Sequence, residues 1–308
     1  MAEQADRISP VQKLRRLMND SDKIILGPGV YDGLTARIAL QAGFDCLYMT
    51  GAGTTMSRLG MPDLGVATLN DMRDHAGMIA SLDRSVPLIA DMDTGYGGPL
   101  MVGRAVEQYI NAGVAGFHIE DQVVNKRCGH LKGKELVSET EWYARIRAAV
   151  NSRAKTGRDI VIVARTDALQ SLGYEVALKR LKGALELGAD AAFLEGVESK
   201  EQGRQICADL APAPVMLNMV EGGVTPHFSS QEAKEHGFKF IVYPGLALGP
   251  VYQSVAAACK HLKETGDTGN VYQGTQGQGP KELFMVCGLK EAIEFDVAAG
   301  GELYKRGV

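Results

Sequence analysis

Acidic side chains follow several short apolar segments in this chain of 308 residues. Asp91 and Asp93 close one segment, Glu120 closes a later one, and Asp63 lies in a loop that precedes both. Residues two apart in an extended segment point to the same side, so Asp91 and Asp93 can act together. Converging carboxylates repel unless a cation neutralises them, and oxygen ligands suit Mg²⁺, with Mn²⁺ as the alternative. The competing interpretation, that Asp91 and Asp93 are capping or loop residues paired with arginines, is weakened by Glu120 and Arg165 at neighbouring strand ends.

A second group of candidate residues lies in the loop 125–134, where five basic or potentially basic side chains surround Cys128. Cationic neighbours favour the thiolate form of a cysteine, so we expect a reactive thiol, and they also suit an anionic substrate. Gly129 and Gly133 are expected to let the loop move as a lid. A solvated basic loop with an incidental thiol is the alternative. The other cysteines lie in apolar segments and are predicted to be packing residues: Cys46, Cys207, Cys259 and Cys287.

Histidine and glycine positions leave further alternatives open. His118 precedes Glu120 by two residues and is either a catalytic group or a hydrogen-bonding neighbour of one. Gly27-Pro28-Gly29 and Gly51-Ala52-Gly53 both follow predicted strands, but neither completes the Gly-x-Gly-x-x-Gly fingerprint of a dinucleotide site. The second glycine run can still present backbone N–H groups to a substrate carboxylate.

The elements that must position these residues alternate along the chain. Eight short apolar segments, each followed by a helical pattern, are predicted strands at 23–26, 44–50, 86–91, 114–120, 159–165, 190–195, 214–219 and 239–243. Consecutive apolar residues such as Ile160-Val161-Ile162-Val163 are typical of strands covered on both faces, and helical crossovers imply parallel pairing. Eight such units in about 250 residues predict a closed (β/α)8 TIM barrel. A doubly wound open sheet is the rival architecture, although it usually has fewer strands.

A single barrel domain, 1–308, is predicted to include additions at both ends. Residues 7–19 form a predicted amphipathic helix that could plug the bottom of the barrel. The stretch 265–280 is rich in Gly, Gln and Thr and is predicted to be a flexible linker. Residues 281–299 then form a predicted apolar helix, which needs a partner surface on its own barrel or on a neighbouring subunit.

The carboxyl ends of the predicted strands carry most of the polar residues with chemical potential. Barrel enzymes build their active sites at these ends, so the pattern predicts an enzyme. Helix caps and turns would explain one or two such residues, but not six of eight strands. The strand-end residues are Thr50, Asp91, Glu120, Arg165, Glu195 and Asn218.

The composition argues against several functional classes. A net charge of −4 does not indicate the excess of basic residues that binds nucleic acid or an anionic membrane surface. The longest apolar runs are too short to cross a bilayer, and the first residues lack the apolar region of a secretory signal. Five cysteines without a Cys-x-x-Cys pair favour a reducing compartment. We therefore predict a soluble cytoplasmic enzyme, with an organelle as the open alternative.

Four motifs resemble the isocitrate lyase/phosphoenolpyruvate mutase superfamily. The resemblance runs from Gly27 to about Leu289 and is greatest to its short-chain branch, which holds 2,3-dimethylmalate lyase, 2-methylisocitrate lyase and oxaloacetate acetylhydrolase. The motifs are Lys126-Arg127-Cys128-Gly129-His130, Asp91-Met92-Asp93-Thr94-Gly95, His118-Ile119-Glu120-Asp121-Gln122 and Ala164-Arg165-Thr166-Asp167-Ala168.

The resemblance implies a role for each candidate residue. Mg²⁺ would be bound directly by Asp91, and the groups acting largely through water would be Asp63, Asp93 and Glu120. The α-carboxylate of the substrate would be held by Thr50, Gly51 and Ala52. The pocket for the far carboxylate would be lined by Gly129, His130, Glu195 and Asn218. Cys128 would protonate the departing carbanion, and the other members of the catalytic set would be Tyr48, Arg165 and His130.

The reaction that the resemblance implies is Mg²⁺-dependent carbon–carbon cleavage. A 2-hydroxy dicarboxylate of the 2,3-dimethylmalate or 2-methylisocitrate type would give pyruvate and a carboxylic acid through an enolate. The resemblance also implies a homotetramer, built as a dimer of dimers, in which the C-terminal helix is exchanged between paired subunits.

Departures from family patterns narrow the substrate and rank the alternatives. Val220 stands where methylisocitrate lyases commonly have a threonine, which favours a dicarboxylate such as a 2,3-dialkylmalate. Tyr243-Pro244-Gly245 lacks the serine of oxaloacetate-hydrolysing members, and phosphonate-forming mutases lack the cysteine found at Cys128. The enzymatic alternatives are oxaloacetate acetylhydrolase, then phosphoenolpyruvate mutase or phosphonopyruvate hydrolase. A non-catalytic barrel that serves as a binding or assembly scaffold is the rival from another class.

Overall fold

Eight parallel strands close into a barrel in chain order, and the last strand pairs with the first. This computed structural model describes residues 8–269 and 279–305, and it confirms the predicted (β/α)8 architecture. The strands are β1 (Ile25–Val30), β2 (Leu47–Met49), β3 (Leu88–Asp91), β4 (Gly116–Glu120), β5 (Val161–Thr166), β6 (Ala191–Leu194), β7 (Val215–Asn218) and β8 (Phe240–Tyr243).

Helices follow the strands around the outside of the barrel. None of the helices in the described ranges is long and apolar enough to cross a membrane. In chain order, the helices of the described ranges are α1 (Pro10–Asn19), α2 (Gly33–Gln41), α3 (Gly51–Leu59), α4 (Leu69–Leu82), α5 (Pro99–Ala112), α6 (Glu139–Thr156), α7 (Leu169–Leu172), α8 (Tyr174–Glu186), α9 (Lys200–Leu210), α10 (Ser230–Glu235), α11 (Leu248–Thr265), α12 (Pro280–Val286) and α13 (Leu289–Ala298).

The first strand lies further along the chain than its apolar residues suggested. It was expected at 23–26 but runs over Ile25–Val30, so Gly27-Pro28-Gly29 is part of the strand and not a turn after it. A Cβ on Gly29 would lie 2.3 Å from the carbonyl oxygen of Tyr243. The glycine therefore reflects close packing between β1 and the chain after β8. The other seven strands lie within their predicted segments, except that β5 extends one residue beyond.

The N-terminal helix packs against the amino-terminal end of the barrel. Ser9 caps α1 through a reciprocal capping box with Gln12, which satisfies backbone N–H groups at the helix start. Leu14 is completely buried with residues of the barrel interior and contacts the start of β4 at Gly116. The helix thus closes the end of the barrel opposite the strand ends that carry the polar residues. Residue 7 of the predicted helix lies outside the described residues.

The C-terminal segment contains two helices where a single helix was predicted. Gly288 adopts a left-handed conformation with φ 85°, which ends α12 and starts α13. Within the described part of the chain none of the side chains of α11 is buried. Tyr252 of α11, Phe284 of α12 and Phe295 of α13 are exposed apolar side chains. Most of the predicted linker, 270–278, and the last residues, 306–308, lie outside the described residues.

Candidate active site

The predicted site residues come together at the carboxyl ends of the strands. Tyr48, Asp91, Glu120, Arg165 and Asn218 lie on five different strands, and all five side chains are buried. Closure of the barrel brings these strand ends into one ring, although the residues are far apart in the sequence. The residues after β2 start a helix: the Thr50 hydroxyl accepts a hydrogen bond from the backbone N–H of Gly53 and caps α3. The amino-terminal end of α3 therefore faces the site, and the backbone N–H groups at such an end can bind an anion.

Lys126 of the loop 125–134 separates two of the predicted metal ligands. Its ammonium contacts a carboxylate oxygen of Asp63 and lies 2.6 Å from Oδ1 of Asp93. Burial alone would lower the pKa of Lys126, but Asp93, Glu120 and Asp63 raise it well above its usual value. Within the described ranges, the acidic side chains do not surround one point as the ligands of a bound ion would.

Asp91 is held by backbone groups at the end of β3. Its Oδ2 accepts a hydrogen bond from Gly51 N at 3.2 Å, and its Oδ1 accepts one from Asp93 N at 2.8 Å. The Tyr109 hydroxyl donates to the carbonyl oxygen of Asp91 at 2.8 Å. Asp93 adopts a left-handed backbone conformation with φ 47°, which is uncommon outside glycine and is frequent at functional sites. These contacts fix the direction of the Asp91 carboxylate.

The chemistry of the acidic side chains, unlike their spacing, suits a hard divalent cation. Burial raises the pKa of Asp91, raises that of Asp93 to about 6, and raises that of Glu120 well above its usual value. Such shifts are expected for carboxylates that lack a sufficient positive partner. Although Lys126 Nζ is close to Asp93 Oδ1, no well-directed hydrogen bond from the described residues reaches this oxygen. Oxygen donors with unfilled acceptor capacity fit Mg²⁺.

His118 links the metal-side and substrate-side residues. Its Nε2 lies 2.8 Å from the Tyr48 hydroxyl, and its Nδ1 lies 3.7 Å from Asp91 Oδ1. Burial lowers the pKa of His118 to about 3, so the imidazole is neutral at physiological pH. Of the two interpretations of His118, this geometry favours a hydrogen-bonding neighbour of the reacting groups.

Arg165 lies at the centre of the other half of the site. Its guanidinium contacts Glu120 at 3.2 Å, Asp167 at 2.9 Å and Glu195 at 3.4 Å. The same group lies 5.1 Å from the ring centroid of Phe193, which supports it from the barrel interior. One buried cation is therefore shared among three carboxylates at the carboxyl ends of the strands.

The loop 125–134, which we call the lid, covers this half of the site. A Cβ on Gly129 would lie 2.4 Å from Arg165 Nη2 and 2.7 Å from Glu195 Cγ, so the lid backbone touches both side chains. His130 lies 3.3 Å from Glu195 and 3.4 Å from Asn218, and its Nδ1 accepts a hydrogen bond from Val224 N. Gly129 therefore allows the lid backbone to approach both side chains closely, and the expected movement of the lid stays a prediction.

The environment of Cys128 differs from the one expected. Its thiol was expected to be ionised by the basic residues of the lid, but burial raises its pKa. The two buried lysines, Lys126 and Lys134, are paired with carboxylates instead of the sulfur. Cys128 is therefore a protonated thiol at neutral pH. Two of the other cysteines, Cys46 and Cys207, are buried as predicted, whereas the remaining two are exposed.

Comparison with known proteins places the chain in a family. A family model for phosphoenolpyruvate phosphomutase matches residues 14–263. The chain belongs to this family. A 2,3-dimethylmalate lyase from Eubacterium barkeri is 38% identical over 259 residues, covering 84% of this chain and 88% of that protein.

Two solved structures of the same superfamily are also similar. A crystal structure of 2,3-dimethylmalate lyase has a TM-score of 0.94 and 52% identity, covering 98% of this chain and 99% of that one. A structure of oxaloacetate acetylhydrolase in complex with the inhibitor 3,3-difluorooxalacetate has a TM-score of 0.93 and 51% identity, covering 96% and 100%. The superfamily predicted from the motifs is confirmed, and this member of the phosphoenolpyruvate phosphomutase family is a lyase.

Sequence reasoning missed several residues that shape this lyase site. Gln122 donates to Glu120 Oε1 at 2.9 Å, and its own Oε1 accepts a hydrogen bond from the Arg127 N–H, so it ties the lid to a strand end. Lys134 and Asp167 form a buried ion pair at 2.9 Å. Asp167 was visible as a polar residue after β5, but nothing in the sequence showed which lid lysine would reach it.

Proposed function

We propose that this lyase cleaves the C2–C3 bond of a 2-hydroxy dicarboxylate of the 2,3-dimethylmalate or 2-methylisocitrate type, giving pyruvate and a carboxylic acid in a Mg²⁺-dependent reaction. The observation that carries the proposal is the protonated Cys128 thiol on a lid in contact with Arg165 and Glu195. Cleavage leaves a carbanion that must be protonated, and a partly buried thiol delivered by a lid can supply that proton. The 52% identity with a 2,3-dimethylmalate lyase supports the same reaction class.

The residues that would hold Mg²⁺ are the carboxylates on the Lys126 side of the site. Asp91 would be the direct ligand, and the others would act largely through water: Asp63, Asp93 and Glu120. When bound, Mg²⁺ would neutralise these carboxylates and act as a Lewis acid towards substrate oxygen. The raised pKa values of Asp91 and Asp93 support this assignment, because a divalent cation would supply the positive charge that these groups lack.

The protein groups can account for the remaining steps. The α-carboxylate would bind at the start of α3 to Thr50, Gly51 and Ala52, and the Gly51 N–H, which donates to Asp91 Oδ2, would be shared between Asp91 and the substrate. Tyr48 and Arg165 would flank the C2 oxygen, which would pass its proton to the buried Glu120 carboxylate beside Arg165 and become the carbonyl oxygen of pyruvate. The electron pair of the broken bond passes to C3, and this carbon takes the proton of Cys128. A preorganised donor such as Arg165 is typically worth about 3 kcal/mol of transition-state stabilisation.

The far carboxylate of the substrate would bind under the lid. Asn218 donates to Glu195 at 3.1 Å, while its buried Oδ1 has no hydrogen-bond partner among the described residues. His130 and Gly129 complete this wall of the pocket. Val220, two residues after Asn218, has no hydroxyl that could bind a third carboxylate. The residue therefore favours a substrate with two carboxylates over one with three.

Oxaloacetate acetylhydrolase activity is the second candidate, because that enzyme is 51% identical to this chain. Against it stands Tyr243-Pro244-Gly245 at the end of β8, which offers no serine where the family resemblance implies one in the hydrolases. The identity values of the two neighbours differ too little to decide between them.

A substrate panel with Mg²⁺ tests the proposal. The purified chain should release pyruvate from a 2,3-dialkylmalate or methylisocitrate and show a lower kcat/KM for oxaloacetate. Cys128→Ala should lower kcat by about 10²–10⁴-fold, whereas Cys259→Ser, at an exposed position on α11, should not change it. Near-normal turnover by Cys128→Ala would refute the role of the thiol. The absence of pyruvate release from every malate derivative would refute the reaction.

We also propose a homotetramer, a dimer of dimers in which the C-terminal helices pack on a neighbouring subunit. The exposed apolar side chains of α11, α12 and α13 support this, because such a surface is costly in water. The five free cysteines support a reducing compartment such as the cytoplasm. Sedimentation of the native chain and of Phe295→Glu should show a tetramer and a smaller species, respectively.

A further inference from the structure

Lys134, at the far end of the lid, is a buried lysine whose ammonium bonds to two parts of the structure. Its Nζ donates to the carbonyl oxygen of Gly129 at 2.6 Å and to Asp167 Oδ1 at 2.9 Å. Both side chains of the Lys134–Asp167 pair are almost completely shielded from solvent. The ammonium thus joins the middle of the lid to the barrel at the end of β5.

Asp167 is held on the barrel side by groups outside the lid. Its two carboxylate oxygens accept hydrogen bonds from Arg165 at 2.9 and 3.2 Å, and its backbone N–H donates to Asp121 at 2.8 Å. Burial alone would raise the pKa of Asp167, but Arg165 and Lys134 lower it to about 2. Asp167 is therefore a fixed, ionised group, and the same carboxylate bonds to the substrate-facing arginine and to the lid.

The other basic residues of the lid do not duplicate this contact. Lys126 pairs with two carboxylates of the predicted metal site, Asp63 and Asp93. Lys132 is exposed, two residues before Lys134. Lys134 is thus the lid lysine that bonds to the barrel away from the metal ligands, on a different strand end from the contact of His130 with Glu195.

We propose that Lys134 is a positioning residue that latches the closed lid to Asp167 and so holds Cys128 and Gly129 against Arg165. The bond to the Gly129 carbonyl fixes the residue next to Cys128, and the bond to Asp167 fixes that assembly to the barrel. Closure of the lid and the orientation of Arg165 are therefore coupled through one carboxylate. The inference relies on the proposed function only for the part that Cys128 plays in turnover.

Alkylation of Cys128 measures closure of the lid without any turnover. Wild type, Lys134→Met and the matched control Lys132→Met are treated with iodoacetamide in the absence of metal and substrate, and the peptide that contains Cys128 is followed by mass spectrometry. Without its latch the lid opens more often, so we expect the labelling rate to rise by about ten- to a hundredfold in Lys134→Met, the range expected for the loss of a charge-assisted hydrogen bond. Lys132→Met should label at the wild-type rate.

Kinetics with the best substrate provide a second measurement. In Lys134→Met, kcat should fall more than KM rises, because the latch acts on placement of the thiol and not on the carboxylate-binding groups. A folded Lys134→Met that labels at the wild-type rate would overturn the inference. If that variant does not fold, Lys134→Gln is measured in its place, and loss of folding in both variants would also overturn it, since Lys134 would then stabilise the barrel itself. Absence of lyase activity with faster labelling would reject the proposed function and leave the latch intact.

Discussion

Substitution of Gly129 by alanine should separate lid placement from folding. Gly129 does not adopt a left-handed conformation, so alanine is compatible with its backbone, and the effect comes from space alone. The added methyl group would lie 2.4 Å from Arg165 Nη2, whereas an ordinary contact is about 3.5 Å. The lid must therefore retreat by about 1 Å, and a misplacement of this size costs about 10²-fold in rate. We expect kcat/KM to fall by about 10²-fold while the free energy of unfolding changes little.

Pyruvate release, followed through NADH oxidation by lactate dehydrogenase, measures this effect, and urea unfolding measures stability. Gly98→Ala is the matched control, because a Cβ on Gly98 meets nothing within 4 Å and its φ of −73° suits alanine. The control should retain wild-type kcat/KM. If Gly129→Ala keeps kcat/KM within threefold of wild type, the lid does not occupy this position during the reaction, and the contact with Arg165 and Glu195 has no catalytic meaning.

Three further outcomes follow from other contacts. Lys126→Met should lower the melting temperature of the metal-free protein and increase its stabilisation by MgCl2, because Asp63 and Asp93 lose the positive charge of Lys126. If thermal-shift measurements show the same magnesium response as in wild type, this prediction is wrong. Leu14→Ala should lower the free energy of unfolding by about 2–5 kcal/mol and leave kcat unchanged, since Leu14 lies at the opposite end of the barrel. The hydrogen bond from Arg15 lowers the pKa of Asp159, so Asp159→Asn should be less stable than wild type at neutral pH. The difference in the free energy of unfolding should shrink as the pH falls below 3.8, because the wild-type carboxylate becomes protonated. Urea unfolding at several pH values measures that difference.

The sequence predicted the barrel well because strands buried on both faces leave an unmistakable apolar pattern. β5 shows this clearly: all six of its residues are buried, and its apolar run had marked it as a core strand. The pattern failed at β1, where Gly27-Pro28-Gly29 resembles a turn but lies in the strand, since the approach of the chain after β8 excludes side chains there. It also failed at Gly288, whose left-handed conformation divides a helix that the apolar spacing had joined.

The sequence predicted which residues form the candidate site, but it did not predict which of them form hydrogen bonds and ion pairs with each other. Strand ends gave Asp91, Glu120 and Arg165, because a closed barrel must bring those ends together. The distribution of counter-charges could not be read from the chain. Whether Lys126 faces solvent, sulfur or a carboxylate depends on how the lid folds over the barrel, and so the sequence could not show that the lid lysines pair with carboxylates and not with the sulfur of Cys128. The partly buried thiol of Cys128 stays protonated, although lysines surround it in the sequence, because those lysines pair with carboxylates.

The sharing of Arg165 among three carboxylates has a consequence for the order in which ligands arrive. Carboxylates outnumber cations around the strand ends, so a doubly charged substrate anion would meet net repulsion there before a divalent ion is bound. Compulsory-order kinetics should result, with the ion adding first and the organic acid second. Initial rates measured at varied concentrations of magnesium and substrate would then show that the ion is needed for binding of the substrate as well as for the chemical step.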